Sequence, residues 1–461
     1  MRYADPLAAA VGNATLLGIG YLMLRRRLLA AGTTLVTALL VVLLATAWRT
    51  VWFECVVAAW WVALAVHGWY LARRHPLRVA VRRQRLVALY LALPVVLAVA
   101  LLRFDGYRVD DELARARQAG DCGQAARVID RVWWGSRIVD APTTVRAEAT
   151  HRACRRLRDA GGKLDAALAT GDRRAMALGF AGLTGVLRTL PGHERMVGTT
   201  LRHFLDRLPD ADPCPAAAVT DWLRARQPNH TILDTAAPVA TRTAPAALVG
   251  CGDDQVARKS WGAALSRYRQ LLDQFPDSTL VAQARNGIHT ATLGQQLSVV
   301  RDRLDTTYPD ALPTYCSKPA KYEAAPRYGR HNTSLFFGNS EYTDKLPGSW
   351  SVSDAADATL VVCAGDTTFG STVESCTYSN VDGTGPSVLV TFYRVAIPIR
   401  AYELRTGRLV IHRTVQIGGS SCPQYLTSTS YGSYDTGPDT SQYVSPSRAQ
   451  VRAAFRRVLH P

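Results

Sequence analysis

Four apolar runs, with one arginine-rich loop set between the third and the fourth, restrict what the first quarter of this chain can become. The runs cover residues 7–24, 28–48, 51–71 and 86–102. A helix rises about 1.5 Å per residue, so about 20 residues cross the ~30 Å hydrocarbon layer of a bilayer. The second and third runs are long enough. The first is interrupted by Gly12, Asn13, Thr15, Gly18 and Gly20, and the fourth is shorter, with Pro94 inside it. The reading is a bundle of four transmembrane helices at about these positions, forming a membrane domain over residues 1–103.

The loop at 72–85 holds Arg73, Arg74, Arg78, Arg82, Arg83 and Arg85 and no acid. Short loops rich in Lys and Arg stay on the cytoplasmic side, so the run after it exits outward and the large C-terminal part is extracytoplasmic. Arg25, Arg26 and Arg27 mark a second cytoplasmic loop. With four crossings, the N-terminus is then also outside. The first run lacks the positive n-region of a cleaved signal peptide and is read as a retained helix. Trp48, Trp52, Trp60, Trp61, Trp69 and Tyr70 suit the aromatic belts at the two interfaces. Only Glu54 and His67 place an ionisable side chain of functional interest within the runs, one near each end of the third, where both reach the headgroups. No run has the paired carboxylates or repeated polar interruptions of a proton relay or transport path. The membrane part reads as an anchor.

Charge supports this division. The first 103 residues carry 12 Arg, no Lys and two acids, which accounts for +10 of the net +17. The rest is only mildly basic, so no nucleic-acid partner is expected, and no cofactor either. Cysteine usage agrees. Cys55 lies in an apolar run, while Cys122, Cys154, Cys214, Cys251, Cys316, Cys363, Cys376 and Cys422 all follow the last one. An even number in an oxidising compartment reads as disulfides. Of the ~105 possible pairings, bonding between sequence neighbours is the simplest: 122 with 154, 214 with 251, 316 with 363, and 376 with 422.

Residues 104–227 are Ala- and Arg-rich with helical spacing. Leu113 and Ala116 precede a stop at Ala119-Gly120, and Ala125, Val128, Ile129 and Val132 form an i, i+3, i+4, i+7 stripe. Thr170-Gly171-Asp172 repeats Ala119-Gly120-Asp121, with the Asp suited to cap the following helix. Residues 228–252, rich in Pro, Ala and Thr, read as a linker. Over 253–312 the order Trp261, Ala264, Tyr268, Leu271, Leu272, Pro276, Ala282 and Ala284 resembles a tetratricopeptide repeat. The match spans residues 259–288, and the earlier hairpins follow it loosely without a clean 34-residue period. The resemblance implies a helical repeat that binds a protein or peptide, with Trp261, Ala264, Tyr268, Leu271 and Pro276 as packing positions.

From residue 313 to 461 the pattern becomes strand-like, a β or α+β domain. Residues 359–363 form a candidate buried strand, and 387–404 a bent strand or two broken near Pro398. A turn at 405–408 leads to 409–417, where Leu409, Ile411, Arg413, Val415 and Ile417 share one face. Val361, Leu389, Val395, Ile397 and Val415 are the expected core. Residues 423–446 read as a surface loop, and Ser447 with Gln450 as a capping box opening a last helix.

No constellation identifies a reaction. His151 and Cys154 lie one helical turn apart but alone, so no metal site is assigned. Ser340 and Ser420 are Gly-flanked but make no nucleophile elbow. Asp354, Asp357, Glu374 and Asp382 fall near strand ends, where solvated carboxylates are common. The functional expectation is a membrane-anchored extracytoplasmic interaction or scaffold protein at the cell envelope, without catalysis. The alternative is a wall- or glycan-acting hydrolase with its carboxylates in the C-terminal domain.

Overall fold

The computed structural model describes residues 5–46, 48, 51–74, 82–131, 141–308, 310–329, 331–379, 387–427 and 438–459. The chain is mostly helical and divides into two compact units, Met1–Ala247 and Leu248–Pro461.

The first apolar run does not make a spanning helix. It breaks into α1 (Pro6–Asn13) and α2 (Ile19–Met23), both far short of the ~20 residues a crossing needs. Leu16 and Gly18 both turn into the left-handed region at φ 64°, and the chain doubles back so tightly that a Cβ on Gly20 would overlap Ala9 O and the Asn13 side chain. Asn13 holds the turn. Its Oδ1 accepts the Tyr21 N–H at 3.1 Å, and its Nδ2 donates to Leu64 O at 3.2 Å.

Three longer helices follow: α3 (Arg27–Thr46), α4 (Val51–Arg73) and α5 (Arg82–Ala119). Each is long and apolar enough to cross a membrane. Asp5 caps α1, accepting the Leu7 N–H at 3.0 Å, and pairs with Arg85 at 2.6 Å. At the other end of the hairpin, Trp61 Nε1 donates to Ala14 O at 2.9 Å. Trp61 lies about three turns from Arg73, so the hairpin reaches roughly 18 Å along α4 from its Arg73 end. The fourth run-length helix expected here is replaced by two short ones, and Asp5 lies against Arg85 at the start of α5.

No break in the helix marks the border expected near residue 103: α5 runs unbroken through Pro94 to Ala119. It stops at Gly120, which adopts φ 73°. Asp121 Oδ1 then accepts the Gln124 N–H at 2.9 Å and opens α6 (Cys122–Ile129). The same device joins α7 (Ala141–Thr170) to α8 (Arg173–Thr189): Gly171 has φ 73° and Asp172 Oδ1 accepts the Arg174 N–H at 2.8 Å. With α9 (Glu194–Asp206) and α10 (Pro213–Ala225), these helices bury Leu113, Leu157, Leu164, Met176, Leu183 and Phe204. Val132 lies outside the described residues.

The stretch read as a linker is instead helical. Residues 236–257 form α11 (Ala236–Ala257), within which the division of the two units falls. Alanine favours helix strongly, Pro238 occupies the first turn, where its missing N–H costs nothing, and Pro245 alone interrupts the ladder.

In the second unit, α12 (Trp261–Gln274) and α13 (Val281–Leu304) form a hairpin, followed by a six-stranded mixed sheet. Its strands are β1 (Ser334–Phe337), β2 (Leu360–Ala364), β3 (Thr368–Tyr378), β4 (Val388–Glu403), β5 (Arg408–Ile417) and β6 (Ser441–Tyr443). Long β4 is the spine. Along one edge it pairs antiparallel with β3 and β2, with β1 parallel beyond β2; along the other it pairs with β5 antiparallel and β6 parallel. Pro398 does not break β4 and stays opposite Thr414. β6 lies within the stretch expected as loop.

The helix α14 (Arg448–Leu459) opens with the expected capping box, Ser447 N–H to Gln450 Oε1 at 2.8 Å and Gln450 N–H to Ser447 Oγ at 3.3 Å. It buries Val451, Phe455 and Leu459 in one core with Val362, Ile397 and Val415. Fully burying a side chain such as Phe455 contributes about 1.5–3 kcal/mol. A second core joins Val361, Cys363 and Tyr402 to Val300 and Leu304 of α13, so no border separates the hairpin from the sheet near residue 312. Val361, Val395, Ile397 and Val415 are buried as expected, but Leu389 is 59% exposed. It alternates with Val390, which is buried in a separate small cluster with Phe392 and Val444. Leu409 is exposed too, because a register shift between Ala401 and Tyr402 breaks the alternation.

Candidate functional site

Cys122 bonds Cys154, Cys316 bonds Cys363 and Cys376 bonds Cys422, each the neighbour-to-neighbour pairing expected. Cys214 and Cys251 are oxidised as well, while Cys55 is a free thiol. The Cys122–Cys154 bridge ties the start of α6 to the middle of α7 beside Met196, whose Sδ lies 4.0 and 3.9 Å from the two sulfurs.

The repeat-packing positions form the centre of the α12–α13 hairpin. Ala264, Tyr268 and Leu271 are fully buried. The Tyr268 ring fills the space that side chains on Gly252 and Gly287 would need, and Trp261 does the same at Gly294. Tyr268 donates its hydroxyl to Asp253 Oδ1 at 2.6 Å, and Gln283 Nε2 reaches Asp253 Oδ2 at 3.2 Å. Burial, and then the Asp253 carboxylate, push the phenol well above its usual range. Pro276 lies between the two helices, Ala284 is buried and Ala282 is exposed. Ala264, Tyr268 and Leu271 hold the hairpin together and leave little of themselves to a ligand.

A groove does open in the first unit. It holds about 600 Å³ and is walled by Leu205, Leu208, Pro209, Pro213 and Val239, with Arg242 and Asp206 at its polar edge. That volume falls in the ~300–1,000 Å³ range of ligand pockets. The sequence offered no signal for it, since it forms where the end of α9, the start of α10 and α11 come together.

The remaining chemistry is dispersed. Cys154 is bonded, so His151 has no thiolate partner. Glu374 lies near Cys376 and Cys422, whose sulfurs are spent on each other, and it accepts the Ser421 hydroxyl at 2.8 Å. Asp354 takes both of its oxygens to Arg301 at 2.8 Å, and that contact, with the Ala356 N–H, holds its carboxyl below the usual range. Ser340 donates its N–H to Asp310 at 3.0 Å, and Ser420 pairs with Ser445. Asp357 lends its carbonyl to Thr333. Asp382 lies outside the described residues.

Among the topology determinants, Arg25, Arg26, Arg27, Arg82 and Arg83 are exposed. Arg73 and Arg74 stack on Trp69 and Tyr70 at 4.2 and 4.3 Å, and Arg85 holds Asp5. Arg78 lies outside the described residues. Two membrane contacts escaped the sequence reading: His67 Nδ1 meets the Tyr21 hydroxyl at 2.7 Å, and Glu54 pairs with Arg103 at 3.1 Å. Asp5 directly before Pro6 was the visible signal for a helix start there.

No protein-family model matches the chain, and no curated protein or solved structure matches it significantly.

Proposed function

We propose that this is an integral membrane protein that holds a disulfide-stapled binding module on the oxidising side of a plasma membrane, in the cell envelope. The observation that carries the reading is the partition of cysteines and arginines. The oxidised cysteines all follow the last apolar helix, while Arg73, Arg74, Arg82, Arg83 and Arg85 lie just before or at the opposite end of that helix. The positive-inside rule and redox compartment then agree on one orientation. In it, α3, α4 and α5 cross the membrane, the α1–α2 hairpin is re-entrant from the cytoplasmic side, and everything after Arg103 is outside.

Binding is favoured over catalysis by the groove at Leu205–Val239, whose apolar walls and Asp206–Arg242 edge suit an extended segment of a protein partner. The likeness of the α12–α13 hairpin to a tetratricopeptide unit points the same way. A hydrolase needs converging carboxylates, and Asp354 and Glu374 are each committed to a local partner.

The test is labelling with a membrane-impermeant maleimide on intact cells, in a Cys55→Ala background, at single cysteines introduced at exposed Thr170 and Ser317. Both sites react without lysis in the proposed orientation, and a cysteine placed before Asp5 reacts only after lysis. Reaction of Thr170 and Ser317 positions only after lysis overturns the reading. A photo-crosslinker at Thr243 tests the groove: a discrete adduct should form on cells and disappear when Ala246→Trp fills the groove.

A further inference from the structure

The α3, α4 and α5 helices part to leave a second cleft, of about 440 Å³, with Ala14 and Leu16 of the hairpin apex also lining it. Val41, Leu44, Val57, Val95 and Val99 make its walls apolar, with Trp61 beside them. Hydrocarbon alone would fill such a space in a bilayer. What distinguishes it is the charge among its lining residues. Arg103 directs Nη1 at 3.2 Å and Nη2 at 3.1 Å to the same oxygen, Glu54 Oε2. Glu54 Oε1 is buried, and among the described residues none donates a hydrogen bond to it. A buried charged acceptor without a donor is costly, while Arg103, half exposed, still has N–H groups to give.

The depth suits a lipid headgroup. Arg103 lies about five turns from Arg85 along α5, roughly 27 Å, and Glu54 is in the first turn of α4. The pair therefore sits at the end of the bundle opposite the arginine-rich loop, one hydrocarbon thickness away.

We propose that this cleft binds one acyl chain of a phospholipid with a primary-amine headgroup, the ammonium donating to Glu54 Oε1 and the phosphate facing Arg103. The complementarity is of charge and of donors. A neutral Glu–Arg pair matches a zwitterion, whereas an anionic phosphatidylglycerol leaves one charge uncompensated. Phosphatidylcholine has the same net charge but no N–H to fill the open acceptor. The proposal needs α3, α4 and α5 in a bilayer and does not depend on which side the second unit faces.

The test is native mass spectrometry of the delipidated full-length protein, titrated with phosphatidylethanolamine, phosphatidylcholine and phosphatidylglycerol of one chain composition. The ethanolamine lipid should bind about tenfold tighter than either competitor, a difference of one decade in Kd. Glu54→Gln should abolish that preference while leaving phosphatidylcholine binding unchanged. Val99→Trp, which keeps the ion pair and fills the wall, should reduce the adducts of all three. Equal binding of the ethanolamine and choline lipids by the unaltered protein, a preference for phosphatidylglycerol, or a preference that survives Glu54→Gln overturns the assignment. If Glu54→Gln cannot be purified, Val99→Trp decides between retained ethanolamine-lipid adducts, which overturn it, and lost ones, which support it.

Discussion

Tyr268 shows how much of this protein rests on single residues whose neighbours are small. Its ring occupies the volume beside Gly252 and Gly287, so Gly287→Ala forces a methyl group into a filled space. Overpacking of this kind costs about 1–3 kcal/mol. Tyr268→Phe keeps the packing and removes the bond to Asp253, a loss of about 0.5–1.5 kcal/mol. Denaturant unfolding of the full chain in detergent, followed by Trp fluorescence, should rank Gly287→Ala as the more harmful; the reverse order would mean that the hydrogen bond, not the fit, holds the hairpin. Asp354 makes a pH-dependent prediction. Arg301 lowers its pKa in the folded state, so its stabilisation is complete above the unfolded value of about 3.9 and is lost as pH falls through the lower folded value. Asp354→Asn should therefore lower Tm at neutral pH, and the gap from the unaltered protein should close as the pH drops below about 4. A gap that persists in acid would show that the carboxylate charge is not what stabilises. The residues themselves were legible in part: Tyr268 was singled out as a packing position, but nothing in the spacing showed that Asp253 would meet its hydroxyl.

At the scale of elements, the two Gly-Asp turns behave as local devices. Asp172→Ala removes a cap worth about 0.5–2 kcal/mol, and thermal unfolding should report it. Gly120→Ala should cost more than Gly171→Ala. Both glycines have φ 73°, but a Cβ on Gly120 overlaps the Thr199 hydroxyl, whereas one on Gly171 only touches Ala218 and Pro215 at 3.1 and 3.2 Å. These turns were readable because everything they need lies within a few residues. The α1–α2 hairpin was not. Asn13, Gly18 and Gly20 looked like flaws in a spanning helix, yet their partners, Leu64 and Ala9 among them, make them the parts of a turn. Replacing all three by Leu should let the run straighten into a crossing, and a cysteine placed before Asp5 should then label on intact cells. Continued protection would mean that the Asp5–Arg85 pair alone fixes the hairpin. The sheet teaches the same lesson at its edges, where alternation located Ile411, Val415 and Ile417 but a register shift exposed Leu409.

At the scale of the molecule, cross-links take over from local preference. The Cys316–Cys363 bridge ties the segment after α13 to the central sheet, and removing a native bridge from a small secreted domain costs about 2–5 kcal/mol. Cys316→Ala with Cys363→Ala should lower Tm measurably in the full chain, while Cys55→Ala should leave it within experimental error. The sequence by itself determined the three long apolar helices, the charge asymmetry between their ends, the caps and turns, and a cysteine order simple enough to pair by proximity. Each of these depends on hydropathy or on neighbours along the chain. Only the tertiary structure decided that the first run doubles back, that α13 belongs to the core of the sheet, and that Glu54 meets Arg103. Those outcomes depend on contacts between residues tens of positions apart, where a polar side chain is a defect or a fastening according to what stands opposite it.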